Sequence, residues 1–422
     1  MNDTINGPEI KIIKNVKFPQ IEQIKLNGDV PLTYLTNFQE PIIQLVLNIK
    51  AGSWHQPKPL VAYSTVKMLT EGTRHKTSKQ IAEIIDYYGI FIKKRKSEHF
   101  SYIRVKVLTK NLEPALQILQ EILTEPVFPE EELKIFLNNE KQEYLIDQEE
   151  VETVARQLYQ AAIYGFEHPY GRYALPEDFD NVTRQDVKNF FEKYYNKQNL
   201  SIFAGGYLTD RELNLINKYL TDIRDGQPSE DRDIPFSPKK EKYIYKPKES
   251  SLQSAVFIGN RTINHTHPDY FALDFTVELL GGYFGSRLMT NIREQKGLSY
   301  GIFADINLLP KAGELTIESA VRKEDKDLVI KEIEKEINLL KQKGATQDEI
   351  FTVKNYIISN ILKLASTTLV FTELLSYLER IGTDINFLKD TIEQTQQMTN
   401  KKVKEMAEKY LNFDDFYKVI VG

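Results

Sequence analysis

Cysteine is absent from the 422 residues, which excludes disulfides, thiolate metal sites and a cysteine nucleophile. Histidine is scarce, with six residues, and none stands in an H-E-x-x-H or H-x-x-E-H spacing, where two imidazoles one helical turn apart could share a zinc ion. No apolar run approaches the about 18 residues of a membrane span. The opening MNDTINGPEIKIIKN lacks the apolar core of a secretion signal. Without leader, anchor or cysteine the expected location is a bacterial cytoplasm, or outside it if a leader has been trimmed. Neither charge sign dominates: 55 Lys and Arg face 60 Asp and Glu, a balance that argues against a general polyanion or nucleic-acid binder. There is no G-x-S-x-G elbow. The glycine-rich stretch Gly281 to Arg287, GGYFGSR, has neither G-x-G-x-x-G nor GK[ST] spacing and reads as a turn between two helices.

What is present divides in two. Arg224 to Lys242, RDGQPSEDRDIPFSPKKEK, is charged, proline-bearing and nearly free of apolar residues, the chemistry of a linker. Residues 1–223 and 243–422 flank it, each of ordinary domain size. Each half opens on strand-like sequence, Pro41 to Gly52 and Leu252 to Ile263. Helical signals follow. Thr77 and Gln80 form a capping box ahead of Ile81, Ile84, Ile85 and Tyr88, and Gly89 supplies a left-handed stop. In the second half Val329, Ile333, Ile337 and Leu340 make one stripe, Gly344 ends it, and Thr346 with Glu349 caps the next helix. The helix pair around Glu132–Leu133 repeats around Glu349–Ile350. The chain therefore reads as two tandem similar α+β domains, antiparallel-rich sheets covered on one face by helices.

Individual polar residues say less. His265 and His267 precede Pro268 in a loop that caps the next helix. His55, His75 and His99 fit surface or capping roles, and His168 a turn. The carboxylate clusters at Glu130–Glu132, Glu140–Glu143 and Glu149–Glu152 fit solvated helix faces. Lys93 to Lys96, four consecutive cations in GIFIKKRKSEHFSYIRVKV, suit either an edge strand or an acidic peptide, with the edge favoured.

Five segments in order, Ala51 to Thr73, HPYGR at His168 to Arg172, Phe190 to Gly206, His267 to Leu288 and IREQKGLSYGI at Ile292 to Ile302, resemble the pitrilysin/insulinase metallopeptidase family, in particular two-domain subunits of the processing-peptidase kind. The resemblance implies the processing-peptidase, LuxS-like metallohydrolase fold, with dimers closing around a peptide chamber. Active members carry H-x-x-E-H on the helix of the first segment. Here that stretch is Tyr63-Ser64-Thr65-Val66-Lys67. The two ligand positions are Tyr63 and Lys67, the base position is Val66, and the third-ligand position falls at Tyr144, next to Glu143. Phenol and ammonium do not replace imidazole, and valine moves no proton, so no zinc or other cofactor is expected on this chain. Lys67 is expected to pair with Glu143 or Glu140. The family's substrate-gripping pair survives as Arg293 and Tyr300, in position to donate to a developing oxyanion.

The function this implies is a noncatalytic subunit of a heterodimeric zinc peptidase, its partner a homologous zinc-bearing chain and its substrate a peptide, with homodimers also allowed. The alternative is a peptide-binding or assembly protein of the same fold.

Overall fold

The computed structural model describes Ile13 and residues 16–422. Two mixed α+β domains stand in tandem, as the sequence predicts. The first sheet holds β1 (Glu22–Lys25), β2 (Pro31–Thr36), β3 (Ile42–Ile49), β4 (Phe91–Lys96), β5 (Ser101–Leu108) and β6 (Leu200–Gly206), in the order β1-β2-β6-β3-β5-β4. The second holds β7 (Tyr243–Lys246), β8 (Gln253–Thr262), β9 (Ser299–Leu309), β10 (Ala312–Arg322) and β11 (Tyr417–Val421), in the order β7-β11-β8-β10-β9. In both sheets one parallel pair, β2 with β6 and β7 with β11, is followed by antiparallel pairs out to a hairpin edge. With β1 set aside, the two topologies are the same.

The repeat is also metric. The helices Glu130–Asp147 and Gln347–Leu364 begin 347 − 130 = 217 residues apart. The same interval separates the helices Val151–Tyr164 and Thr368–Arg380 (368 − 151 = 217) and the strands β6 and β11 (417 − 200 = 217). Local signals act as read: Thr77 and Gln80 exchange both capping-box hydrogen bonds, Gly89 ends that helix at φ 61, and Thr346 with Glu349 does the same for Gln347–Leu364. The GGYFGSR stretch joins two helical segments, and Arg287 ties it to Glu349 at 2.6 Å. His265 and His267 lie in the loop before the helix Tyr270–Val277.

Most helices gather on one face of each sheet. The other face is covered by a helix from the other domain. Thr368–Arg380 lies on β3 and β6 of the first sheet, and Val151–Tyr164 lies on β8 and β11 of the second. This explains why β3 is buried along nearly its whole length: Ile43, Leu45, Leu47 and Ile49 face their own helices, while Val46 joins the core that holds Phe371 and Leu375. Strands buried on both faces read as continuous apolar runs, as β3 and β8 do. Gly205 of β6 is required by this contact, because a Cβ there would overlap Thr372 Oγ1.

Polar groups set the register of the exchanged helix. Asn48, fully buried, donates to the Ser376 carbonyl (2.9 Å) and to Glu379 (2.7 Å), and its side-chain oxygen accepts from Ser376 Oγ (2.9 Å) and Arg380 (3.1 Å). Ser201 Oγ also donates to Glu379, at 2.6 Å. Gln44 donates to the Leu369 carbonyl at 2.8 Å. Residues 224–242 form neither helix nor strand, and Arg232 donates to the Trp54 carbonyl at 2.8 Å while the Ser237 N–H donates to that of Tyr164 at 3.0 Å.

Asn48→Ala leaves the Ser376 hydroxyl without its acceptor and removes one partner each from Arg380 and Glu379 in a buried interface. It is expected to cost about 2–4 kcal/mol, since each unsatisfied buried group costs about 1–3 kcal/mol. Urea denaturation of the single variant, of Ser376→Ala and of the double variant measures this, and the double variant is expected to lose less than the two singles summed.

Candidate substrate-gripping site and the replaced zinc site

The helix Val61–Met68 packs on the helix Arg184–Tyr194, on Glu130–Asp147 and on the edge strand β4. Its buried side, Val61, Ala62, Thr65, Val66 and Met68, belongs to the core or closes on the helix itself, with Thr65 Oγ1 donating to the Val61 carbonyl at 2.8 Å. Val66 is fully buried. Tyr63 points toward Glu130–Asp147, where its hydroxyl donates to Glu140 at 2.8 Å and its ring sits 5.8 Å from that of Phe136. Burial first, then the hydrogen bond to Glu140, hold the Tyr63 phenol well above its ordinary pKa.

The expected Lys67 pairing is therefore corrected. Lys67 makes no ion pair with Glu140 or Glu143 among the described residues; its ammonium lies 5.2 Å from the centre of the Tyr63 ring. Tyr63 takes the carboxylate instead, because it faces the acidic helix directly. Glu143 is exposed, while Tyr144, one turn beyond Glu140 on the same face, packs its ring 5.3 Å from Phe179. The donor set does not fit zinc: Tyr63 is spent on Glu140, Val66 offers no lone pair, and Lys67 brings positive charge.

A cation from the neighbouring strand completes this end of the helix. Lys94 donates to the Lys67 carbonyl and to Thr70 Oγ1, and lies 3.8 Å from Glu71. A positive charge at a helix C-terminus complements the backbone dipole. Burial lowers the Lys94 pKa to about 8, against the pull of Glu71. Beside Tyr63 opens a cavity of about 350 Å³ bounded by Lys58, Lys96, Arg172, Arg232 and Glu167.

Arg293 and Tyr300 come together in the second domain. Arg293 sits in the helical segment Met289–Gln295, Gly297 turns the chain at φ 62, and Tyr300 enters β9. The segment is anchored by buried Ile292 and by Lys296, 2.5 Å from Glu332. The guanidinium of Arg293 lies between two rings, 4.7 Å from the centre of Phe284 and 4.8 Å from that of Tyr300. Tyr300 is 88% exposed, and neither side chain has a hydrogen-bond or ion-pair partner among the described residues. Phe284, 58% exposed in the GGYFGSR turn, is a site residue the sequence did not single out. Its signal was an aromatic in a tight turn between helices. The two donors can engage a carbonyl or carboxylate, but nothing beside them activates a nucleophile.

Two histidines depart from the expected surface or capping positions. His55 and His99 are buried, and His99 stacks on Trp54 at 4.6 Å while its Nε2 meets Tyr170 Oη at 2.8 Å. His168, in the expected turn, is buried and accepts from the Tyr170 N–H at 3.1 Å. The His99 and His168 rings pack against Trp54 and Tyr170 where the helix Val151–Tyr164 meets the second sheet, while His55 lies against Tyr194, contacts between distant segments that local sequence does not show.

Tyr63→Phe is expected to cost about 1 kcal/mol, the ordinary worth of one partly exposed hydrogen bond. A cycle with Glu140→Gln, followed by urea denaturation, checks that this loss is shared with Glu140.

With the geometry in place, comparison with known proteins gives one family. Residues 34–171 match the family model described as insulinase (peptidase family M16), and residues 181–357 match that of the peptidase M16 inactive domain. The chain is 24% identical over 405 residues, covering 93% of it, to a Helicobacter pylori protein named "Non-peptidase homolog YmxG", covering 92% of that protein. It is also 24% identical over 344 residues to an "Uncharacterized zinc protease" of Rickettsia felis, covering 80% of this chain and 81% of the other. A crystal structure described as the peptidase M16 inactive domain from Pseudomonas fluorescens superposes with a TM-score of 0.86 at 23% identity, covering 95% of this chain and 98% of that one. A Helicobacter pylori protease superposes equally well, TM-score 0.86 at 17% identity, covering 96% and 100%. The two-domain architecture, both family models and the displaced ligand positions agree: this chain belongs to the insulinase (peptidase M16) family, as a member in which the zinc-binding motif has been replaced.

Proposed function

We propose that this chain is the noncatalytic subunit of a heterodimeric zinc peptidase, lending Arg293 and Tyr300 to the zinc site of a homologous partner that carries H-x-x-E-H. The observation that carries this reading is the state of the pair: Arg293 lies against the rings of Phe284 and Tyr300, and Tyr300, 88% exposed, has no hydrogen-bond partner for its hydroxyl among the described residues. Aromatic stacking fixes the guanidinium without consuming its N–H donors. Such donors, aimed at a carbonyl that gains negative charge, stabilise the transition state of hydrolysis. The Tyr63–Glu140 pair, buried Val66 and Lys67 leave this chain without the metal-bound water and base that hydrolysis needs. The substrate is read as an extended peptide added as a strand, so that main-chain hydrogen bonds carry much of the affinity.

Mixing the chain with a homologous zinc-bearing subunit and following a quenched fluorescent peptide tests this. Hydrolysis is expected in the mixture and not with this chain alone. Arg293→Ala and Tyr300→Phe in this chain are each expected to lower kcat by about 10²–10³, the usual loss for one oxyanion donor. A partner that is fully active alone and indifferent to both substitutions would favour the alternative, a peptide-binding or assembly role. Equilibrium dialysis of this chain against zinc is expected to leave less than one tightly held ion per chain.

A further inference from the structure

The face of the second sheet that carries the exchanged helix Val151–Tyr164 also carries a row of carboxylates, beyond the helix on β9 and β10. Strand alternation puts Phe303, Asp305 and Asn307 of β9 on that face, and Glu314, Thr316 and Glu318 of β10. Antiparallel register sets Glu318 across from Phe303, Thr316 across from Asp305 and Glu314 across from Asn307. These residues line a cavity of about 330 Å³ together with Arg156 and Gln160 of the helix.

One carboxylate of the row is satisfied and another is not. Arg156 pairs with Glu318 at 3.1 Å, and its guanidinium stands 5.3 Å from the centre of the Phe257 ring. One turn further along the helix, Gln160 reaches Glu314 Oε1 only at 3.5 Å, as does Thr316 Oγ1, the outer limit of a hydrogen bond. Glu314 is 5% exposed, and its Oε2 has no hydrogen-bond partner among the described residues. Asp305, at an exposed position of the lining, has no ion pair among them.

A buried carboxylate oxygen without a donor is costly, and the fold does not require one here. The first domain makes the matching contact with the charges exchanged: Glu373 of the helix Thr368–Arg380 pairs with Arg104 of β5, and 373 − 156 = 217. Four residues before Arg104, where Glu314 stands before Glu318, that domain has buried Phe100. Glu314 therefore belongs to the second domain's cavity and not to the repeat. Among the described residues no three acids or histidines are grouped so that they could hold a metal ion, which directs the reading to an organic cation.

We propose that this cavity binds a small molecule bearing a guanidinium group, with Glu314 as the carboxylate that receives it, Asp305 as a second acceptor and Phe303 as an aromatic wall. Arg156 shows the chemistry in place, a guanidinium held by a carboxylate of this face beside a ring of this sheet. Two parallel N–H groups suit both oxygens of a carboxylate, and Phe303, 49% exposed, supplies a face for the cation. The ligand is a free molecule and not an added strand, because β10 is hydrogen-bonded on both sides by β8 and β9 and no strand edge adjoins Glu314. The cavity also has the volume of a small-ligand pocket, about 300–1,000 Å³. This site is separate from Arg293 and Tyr300 and does not depend on the function proposed for them.

Binding is linked to a proton. Burial raises the Glu314 pKa to about 7; Gln160, Tyr164 and Arg156 pull it down, and Glu98 of the first domain adds to the rise. Tyr159 of the helix also faces Glu314, and Asp305 and Glu318 share the cavity with it. A seated guanidinium keeps the carboxylate charged, so affinity is expected to rise with pH, by about tenfold between pH 6 and 8 for one released proton.

Isothermal titration calorimetry of the full chain with butylguanidine tests this. One saturable site per chain is expected at about pH 8, with butylamine at least about fivefold weaker because it lacks the paired N–H groups. Glu314→Gln, with circular dichroism and melting temperature unchanged, is expected to lose at least about tenfold in affinity, and the pH dependence with it. Asp305→Asn, at an exposed position, is expected to lose about threefold, and it decides the matter if the first variant fails to fold. A blocked glycine–arginine–glycine tripeptide is expected to bind more weakly than butylguanidine. Absence of saturable binding up to about 10 mM, indifference to both substitutions, affinity that is flat across that pH range, or tighter binding of the tripeptide would overturn the proposal.

Discussion

Two helices hold this molecule together by leaving their own domains. Thr368–Arg380 closes the open face of the first sheet and Val151–Tyr164 that of the second. Burying a side chain such as Phe371 contributes about 1.5–3 kcal/mol, but apolar contact alone would let a helix slide along a sheet. The polar knot of Asn48, Ser201, Ser376, Glu379 and Arg380 fixes its register, because each group pays heavily if it loses its partner. Gly205 lets the helix come close. The second domain, with Arg293 and Tyr300, is thereby fixed relative to the first, with the β4–β5 strip.

The replaced zinc site is a rebuilt one. Tyr63 occupies the carboxylate that faces it, Val66 fills core, and Lys94 caps the helix from the strand alongside. Tyr63 and Val66 are thus held by contacts within the fold, and the helix is packed without an ion. The second-domain pair was treated differently. Arg293 lies against the rings of Phe284 and Tyr300, and neither side chain of the pair has a polar partner among the described residues.

The two hairpin edges show how a repeated fold can be given direction. Their topology is the same, while their outer strips differ in charge: Lys93, Arg95 and Lys106 on one, Asp305 and Glu318 on the other, where Glu318 pairs with Arg156 at 3.1 Å. Surface charge changes without disturbing the core, since alternation keeps these residues off the buried face.

The amino-acid sequence was sufficient for whatever depends on near neighbours or on residue type. The capping boxes at Thr77 and Thr346, the stops at Gly89 and Gly344 and the stripe from Val329 to Leu340 are local hydrogen-bonding and packing preferences, legible within one turn of helix. The repeat and the loss of H-x-x-E-H are matters of spacing and identity. Tertiary structure decided the rest. Which acid meets Tyr63, why Lys67 rests beside the Tyr63 ring, why His99 is buried against Trp54, and which domain's helix covers which sheet all depend on segments far apart in sequence. Their pairing is set by the shape and burial of whole elements, and no residue carries that information in its own neighbourhood.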